Sequence, residues 1–273
     1  MRASRANRVT LVVERYGDVH RLRMSTIGSR AFRLDVSAYV VRGMMIDSGL
    51  HRARRELLST VAALNVRGCV VTHWHEDHAG NAASIARNGI PLMLHPETEA
   101  ILRRRPAIAL YRRFAWGRPP ALDVPLTSFD LDGLEVIHTP GHSADHQVVW
   151  DSATRTLFSG DLWLGVRSRM IHEAEDPFVI LDSLRRVSAL EPLRMFDAHR
   201  GLVEPATRAI ERKIEWLGET LVRIEQRIAS GWSDDAIVRR DLGGEPMAAT
   251  VSRGEYTTGN LVRAVRRHLS SEP

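Results

Sequence analysis

The sequence predicts an α/β protein in which two packed mixed sheets are flanked by helices, with a small helical region at the C-terminal end. Three observations carry this. Short strand-like apolar runs alternate with amphipathic helical stretches from Val9 to residue 204. Four of those runs end in turns that carry histidine or aspartate. After Pro205 the pattern changes to helix alone.

Taken in order, Val9 to Met24 alternates β-branched and polar residues around Gly17-Asp18, the pattern of a hairpin. Ser37 to Val41 and Gly43 to Asp47 give a second strand pair around Arg42. Arg52 to Leu64 is an amphipathic helix with Leu57, Leu58 and Val61 on its inner face. Cys69-Val70-Val71 reads as a buried strand, and Ala79-Gly80-Asn81 opens a helix that stops at Asn88-Gly89. A short strand is expected at Ile90 to His95. The next stretch, residues 96–120, combines Arg103, Arg104, Arg105, Arg112 and Arg113 with Tyr111, Phe114 and Trp116, and is broken by prolines. It is expected as a helical excursion, either a lid over the neighbouring site or a solvated basic face. Strands follow at Leu134 to His138, Gln147 to Trp150, Leu157 to Asp161 and Met195 to Asp197, with an amphipathic helix from Phe178 to Leu190. In the last segment Ile210, Ile214, Leu217, Leu221, Ile224 and Ile228 step along one helical face. Ser233 and Thr258 are candidate caps for two further helices. The expected division is a catalytic domain over 1–204 and a helical region over 205–273.

With 273 residues, 44% hydrophobic and 26% charged, the chain is ordinary globular material with ample core. Its 38 Lys+Arg against 33 Asp+Glu, nearly all the positive charge being arginine, permits anionic partners without arguing for them. A single cysteine, Cys69, forbids an internal disulfide and fits a reducing compartment. The basic opening stretch has an apolar run too short for a secretory signal, and no later stretch could span a bilayer. A cytoplasmic protein with no membrane partner is expected, its oligomeric state left open.

Chemistry concentrates in His73-Trp74-His75-Glu76-Asp77-His78, on the turn between the Cys69 strand and the following helix. Three imidazoles and a carboxylate in six residues are costly to bury unless a cation gathers them, and neutral imidazole and carboxylate are both good ligands for zinc-like ions. In an extended turn His73 and His75 point the same way, while Asp77 and His78 fall beyond them and can face a second ion.

HWHEDH is similar to the HxHxDH signature of the metallo-β-lactamase-fold hydrolases, whose architecture is an αββα sandwich. Three further motifs resemble that family's remaining ligand turns: TPGHS, offering His142; SGD, offering Asp161; and DAHRG, offering His199 outside the common GHG context. The resemblance implies that His73, His75 and His142 hold one divalent ion and Asp77, His78 and His199 the other, with Asp161 bridging. Zinc is the default, with iron or manganese as alternatives. It also implies that Asp47, in Asp47-Ser48-Gly49, lies behind the site and orients a ligand histidine, an Asx-turn being the alternative. His138 and His146 flank the His142 turn as outer donors or as structurally satisfied residues. His20, His51, His95, His172 and His268 lack ligand context and are expected at the surface or at caps.

Cysteine is absent from every one of these ligand positions, unlike the thiolate site of some antibiotic-degrading relatives. The full set resembles glyoxalase II-like and lactonase-like members. The implied activity is hydrolysis of a small-molecule ester, thioester or lactone by a metal-bridging hydroxide, with Asp77 holding its proton. The alternative is a phosphodiesterase or endoribonuclease acting on single-stranded RNA, because the tail resembles that of lactamase-like endoribonucleases. The motifs of the RNA-processing branches are absent. If the segment over 96–120 is a lid, Tyr111, Phe114 and Trp116 line the pocket.

Overall fold

Hydrogen-bond pairing sorts the strands into two principal sheets. The computed structural model describes residues 9–31 and 35–271, so the opening residues 1–8, on which the expectation about a signal segment partly rests, lie outside it. The first sheet runs in sequence order: β1 (Thr10–Tyr16), β2 (Val19–Ser25), β3 (Val36–Val41), β4 (Met44–Ile46), β5 (Gly68–Val70) and β6 (Leu92–Met93). Its first four strands form an antiparallel meander, and β4, β5 and β6 are parallel. Parallel neighbours need a crossover, and α2 (Arg54–Ala63) and α3 (Ala82–Arg87) provide the two that are required. The second sheet has the order β12 (Gly201–Val203), β11 (Arg194–Asp197), β9 (Thr156–Gly160), β8 (Gln147–Asp151), β7 (Leu134–His138). Only β9 and β11 are parallel there, joined through α6 (Pro177–Ser188).

Three cores account for the layering. Tyr39, Val41, Met44 and Val70 of the first sheet meet Val149, Phe158 and Phe196 of the second. The alternate residues Ala38, Val40, Met45 and Cys69 point the other way, under Leu57, Val61 and Ile85 of α2 and α3. The period of two thus buries both faces of β3, and all six of its residues are buried. On the far side, Val148, Trp150, Leu157 and Met195 pack against Leu184 and Val187 of α6 and against α7 (Ala206–Ala229), α8 (Asp234–Arg240) and α10 (Thr258–Ser271). The order of layers is therefore helix, sheet, sheet, helix. Helix starts follow local chemistry: Asp176 accepts from Phe178 and Val179 N–H ahead of Pro177, and Ser233 accepts from Ala236 N–H.

Several short elements carried no readable signal: α1 (Ile27–Ala31), α9 (Met247–Val251), β12, and the two-residue pair β10 (Ile171–His172) with β13 (Tyr256–Thr257). The 96–120 stretch forms α4 (Pro96–Arg104) and α5 (Leu110–Ala115). Its aromatics do not act as a set. Trp116 is buried in the core beneath the first sheet, Phe114 is 65% exposed, and Tyr111 is half-buried with its hydroxyl donating to Glu255 Oε2 at 2.6 Å. A pocket lined by all three is therefore corrected: burial of the large indole in the core outweighs any role at a mouth. No helix among the described residues is long and apolar enough to cross a membrane.

Candidate metal centre

The ends of β5, β7, β9 and β11 lie along one edge of the sandwich and carry the four turns. The first turn departs from β5 with Thr72 and coils tightly, His78 and Ala79 N–H both donating to His75 C=O. It can do so because Gly80 has no side chain: a Cβ there would stand 2.4 Å from the carbonyl oxygens of Glu76 and Gly49. Asp47, at φ +63°, turns its carboxylate back beneath the turn. Its Oδ1 accepts from Thr72 N–H at 2.7 Å, and its Oδ2 meets His78 Nδ1 at 2.8 Å. The Asx-turn alternative gives way to this buried bridge between strand and turn.

The structure brings all seven candidate side chains together in two groups. His73, His75, His142 and Asp161 form one; Asp77, His78 and His199 form the other; within each group the donor atoms lie within 4.8 Å of one another. In the first, His75 Nδ1 lies 2.9 Å from His73 Nε2 and 3.1 Å from His142 Nε2. Neighbouring ligands of a tetrahedral ion with bonds near 2.0–2.1 Å are separated by roughly 3.3 Å, close to this spacing. In the second, His199 Nε2 is 3.7 Å from Asp77 Oδ2. Asp161 stands between the groups. Its Oδ2 is 3.4 Å from His142 Nε2, and its Oδ1 is 3.3 Å from both His78 Nε2 and His199 Nε2.

The remaining ring nitrogens are held from behind. Thr72 Oγ1 lies 3.0 Å from His73 Nδ1, Glu175 Oε1 lies 3.4 Å from His142 Nδ1, and Asp35 C=O lies 2.8 Å from His199 Nδ1. Together with Asp47 on His78, the contacts of Thr72 and Asp35 fix which nitrogen of His73, His78 and His199 faces the cluster, while the Glu175 carboxylate stands beside His142 Nδ1 without a hydrogen bond to it. Burial, reinforced by the neighbouring imidazoles, drives the pKa of His73 and His75 well below normal, so both are neutral and have lone pairs to give. Burial also opposes the charged form of His78 and His199. There the carboxylates outweigh it: Asp161, Asp47 and Asp77 raise His78 well above normal, and Asp161 and Asp77 raise His199 to about 9. His78 Nε2 and Asp161 Oδ1 are buried without a hydrogen bond. Converging imidazoles, two of them neutral, with carboxylates and orphaned buried donor atoms fit a divalent cation.

A family model described as the metallo-beta-lactamase superfamily matches residues 31–222. The chain belongs to the metallo-beta-lactamase superfamily. A beta-lactamase-like protein 2 homolog of Drosophila melanogaster is 32% identical over 158 residues, covering 52% of this chain and 47% of the relative. An atrochrysone carboxyl ACP thioesterase of Aspergillus fumigatus is 28% identical over 178 residues, covering 63% of this chain and 51% of the relative. The chain thus spans about half the length of these curated relatives. The fold is also that of the DIM-1 metallo-beta-lactamase, with a TM-score of 0.59, 18% identity, and coverage of 78% of this chain and 99% of that one. The His/Asp cluster is this superfamily member's metal-binding site.

Of the flanking histidines, His146 is buried beside the cluster. Its Nε2 accepts from Asp161 N–H at 3.1 Å, and burial lowers its pKa to about 3. His138 is exposed and stacks on His95, which caps α4 by accepting from Glu97 N–H. Sequence reasoning missed three supports. Asp145, buried, accepts from Trp74 N–H, Thr98 Oγ1 and Ser143 Oγ at 2.8, 2.6 and 2.6 Å, tying the His142 turn and α4 to the first turn. Glu175 stands beside His142 Nδ1. Arg112 of α5 forms a buried two-pronged pair with Glu76, at 2.5 and 2.8 Å, so the basic segment is pinned to the metal turn. The only signal for Glu76 was its place between ligands. Asp145 and Glu175 carried none.

Proposed function

We propose that the protein is a dinuclear metal-dependent hydrolase attacking the carbonyl of a small-molecule ester, thioester or lactone. The observation that carries this reading is the placement of Asp161, whose two oxygens face different donor groups. A carboxylate so placed suits a bridge between two cations. His73, His75 and His142 would hold one ion and Asp77, His78 and His199 the other, with zinc the first choice for both. When bound, such ions supply Lewis acidity for the carbonyl and acidify water to a pKa of roughly 7.

The chain's own groups then set the geometry. Asp77 Oδ2, beside His199 Nε2, is placed to hold the proton of an attacking water. Asp47, Thr72 and Asp35 keep the ligand nitrogens of His78, His73 and His199 in register without reaching the substrate. A thioester stands first among the substrates, in keeping with the name of the Aspergillus fumigatus relative. The reading places the catalytic unit in 1–204, with the helical region 205–273 against its second sheet, in the cytoplasm. An RNA track along the basic segment has less support. Arg112 is buried on Glu76, and Arg103 pairs with Glu99 at 2.7 Å. The test is a side-by-side assay of metal-loaded protein on thioester, lactone, β-lactam, phosphodiester and single-stranded RNA. Turnover of an ester-class substrate alone is expected; RNA cleavage with no ester-class turnover would contradict the reading.

A further inference from the structure

Helix α5 has one side committed and one side bare. On the committed side Tyr111 donates to Glu255, and Arg112 is buried on Glu76. Leu110, Arg113 and Phe114, spaced i, i+3 and i+4, share the other side. All three are exposed, Leu110 by 70% and Phe114 by 65%. Two large apolar side chains held in water on one helical turn mark a contact surface.

The bare side is firmly built. Thr26 Oγ1 donates to Ala115 C=O at 3.1 Å, and Arg52 donates to the carbonyls of Phe114 and Arg113 at 3.0 and 3.2 Å. A Cβ on Gly28 would stand 3.1 Å from Phe114 Cε1, so the ring lies over the glycine that follows the exposed Ile27. Charge here has one sign. From Ala100 to Leu122 the chain has six arginines and no carboxylate, and α1 has no carboxylate either. Arg103 and Arg112 are paired with Glu99 and Glu76. Arg104, Arg113 and Arg118 are exposed and, among the described residues, make no side-chain hydrogen bond or ion pair.

An aromatic anchor set among arginines has the composition of a protein-binding patch, and the single sign of charge calls for an acidic partner. Other occupants fit less well. A two-fold contact with a second copy would set one arginine-rich face against another. Six residues, about 9 Å of helix, offer a bilayer too little apolar area to hold the chain. A nucleic-acid backbone would use the arginines and leave Leu110 in water. The committed side of the same helix grips Glu76, which stands between the donors His75 and Asp77. A partner on the bare side is therefore about 10 Å, one helix diameter, from the metal turn.

We propose that this face docks an acidic carrier protein that presents its acyl group to the metal centre as a tethered thioester. The proposal rests on the ester-class reading of the metal centre and adds the partner. The probe is a butyryl thioester offered in two forms, on the phosphopantetheine arm of an acidic acyl carrier protein and on free pantetheine. Metal-loaded wild type, Arg113→Glu and Phe114→Ser are assayed on both. The carrier-borne form is expected to have the higher kcat/KM, by a margin that shrinks as salt is added. Each substitution should raise KM for the carrier-borne form about 10- to 30-fold, the size expected of an interface anchor. Turnover of the free form should stay unchanged in both variants, which shows that fold and metals are intact. A carrier with a non-hydrolysable amide in place of the thioester, titrated by calorimetry, separates the two readings. Binding of this carrier that depends on Arg113 and Phe114, with no turnover of either thioester, would sink the hydrolase reading and leave the docking face standing. Equal handling of the two thioesters, unchanged in both variants, or no binding of the amide carrier, would overturn the docking face. So would binding of phosphatidylglycerol vesicles or single-stranded RNA that depends on Arg113 while carrier binding does not.

Discussion

Asp47→Asn is the sharpest single-atom perturbation of the proposed centre, because it retains shape while changing which nitrogen of His78 bears a proton. In the wild type Asp47 Oδ2 can only accept, so His78 Nδ1 donates to it across 2.8 Å, and it is Nε2 that would give up its proton and turn a lone pair to a cation in the cluster. Oδ1 is committed to Thr72 N–H at 2.7 Å, so an asparagine keeps its oxygen there and turns its NH2 toward His78. Nδ1 must then accept, and the proton moves to Nε2, where it blocks ligation. Outer partners of this kind alter metal affinity by about 10- to 100-fold, or about 1.4–2.7 kcal/mol. The fold itself should lose less than about 3 kcal/mol, the upper value for one charged hydrogen bond. Titration against a chelating indicator is expected to show one weakened site, and nitrogen NMR should place the His78 proton on Nε2. Two sites of wild-type affinity in Asp47→Asn would refute the reasoning.

Two other perturbations follow. Arg112→Met strands the Glu76 carboxylate in a buried site where burial, against the opposing pull of Arg112, already raises its pKa to about 7. Urea unfolding should show a loss of about 3–5 kcal/mol, partly recovered in the Glu76→Gln/Arg112→Met double variant; a loss under 1 kcal/mol would be contrary. Burial lowers Lys213 from an ordinary 10.5 to about 8. Between those values the unfolded chain binds more protons than the folded one, so this group makes stability rise with pH, by about 3 kcal/mol across the window. The stability of wild type minus that of Lys213→Met should therefore climb from pH 8 to pH 10.5. A flat or falling difference would show that the ammonium is not held as its surroundings imply.

Much of the centre was legible because each ligand turn follows an apolar strand, so four separate stretches announce both a buried element and a polar end. The period of two in β3 and the steps of three and four in α7 gave the layers in the same way. What could not be read depends on contacts remote in sequence. Asp145 matters through Trp74, 71 residues away, and Thr98, 47 away, and nothing around it is periodic. Arg112 looked like part of a solvated basic face because α5 has only six residues, too few for a pattern to tell its inner side. Its partner Glu76 lies 36 residues earlier. Trp116 stands among aromatic neighbours in the chain, yet it is the residue of that stretch that fills core. Two-residue strands such as β10 and β13 exist only through each other, which no local reading supplies.

The measurement closest to the central claim is the metal content of the purified chain, by elemental analysis after gentle isolation and again after equilibration with zinc or manganese. Seven donor side chains in two groups around Asp161 lead to an expected value of about two ions per chain. A reproducible value near one, not raised by either added metal, would contradict the dinuclear account.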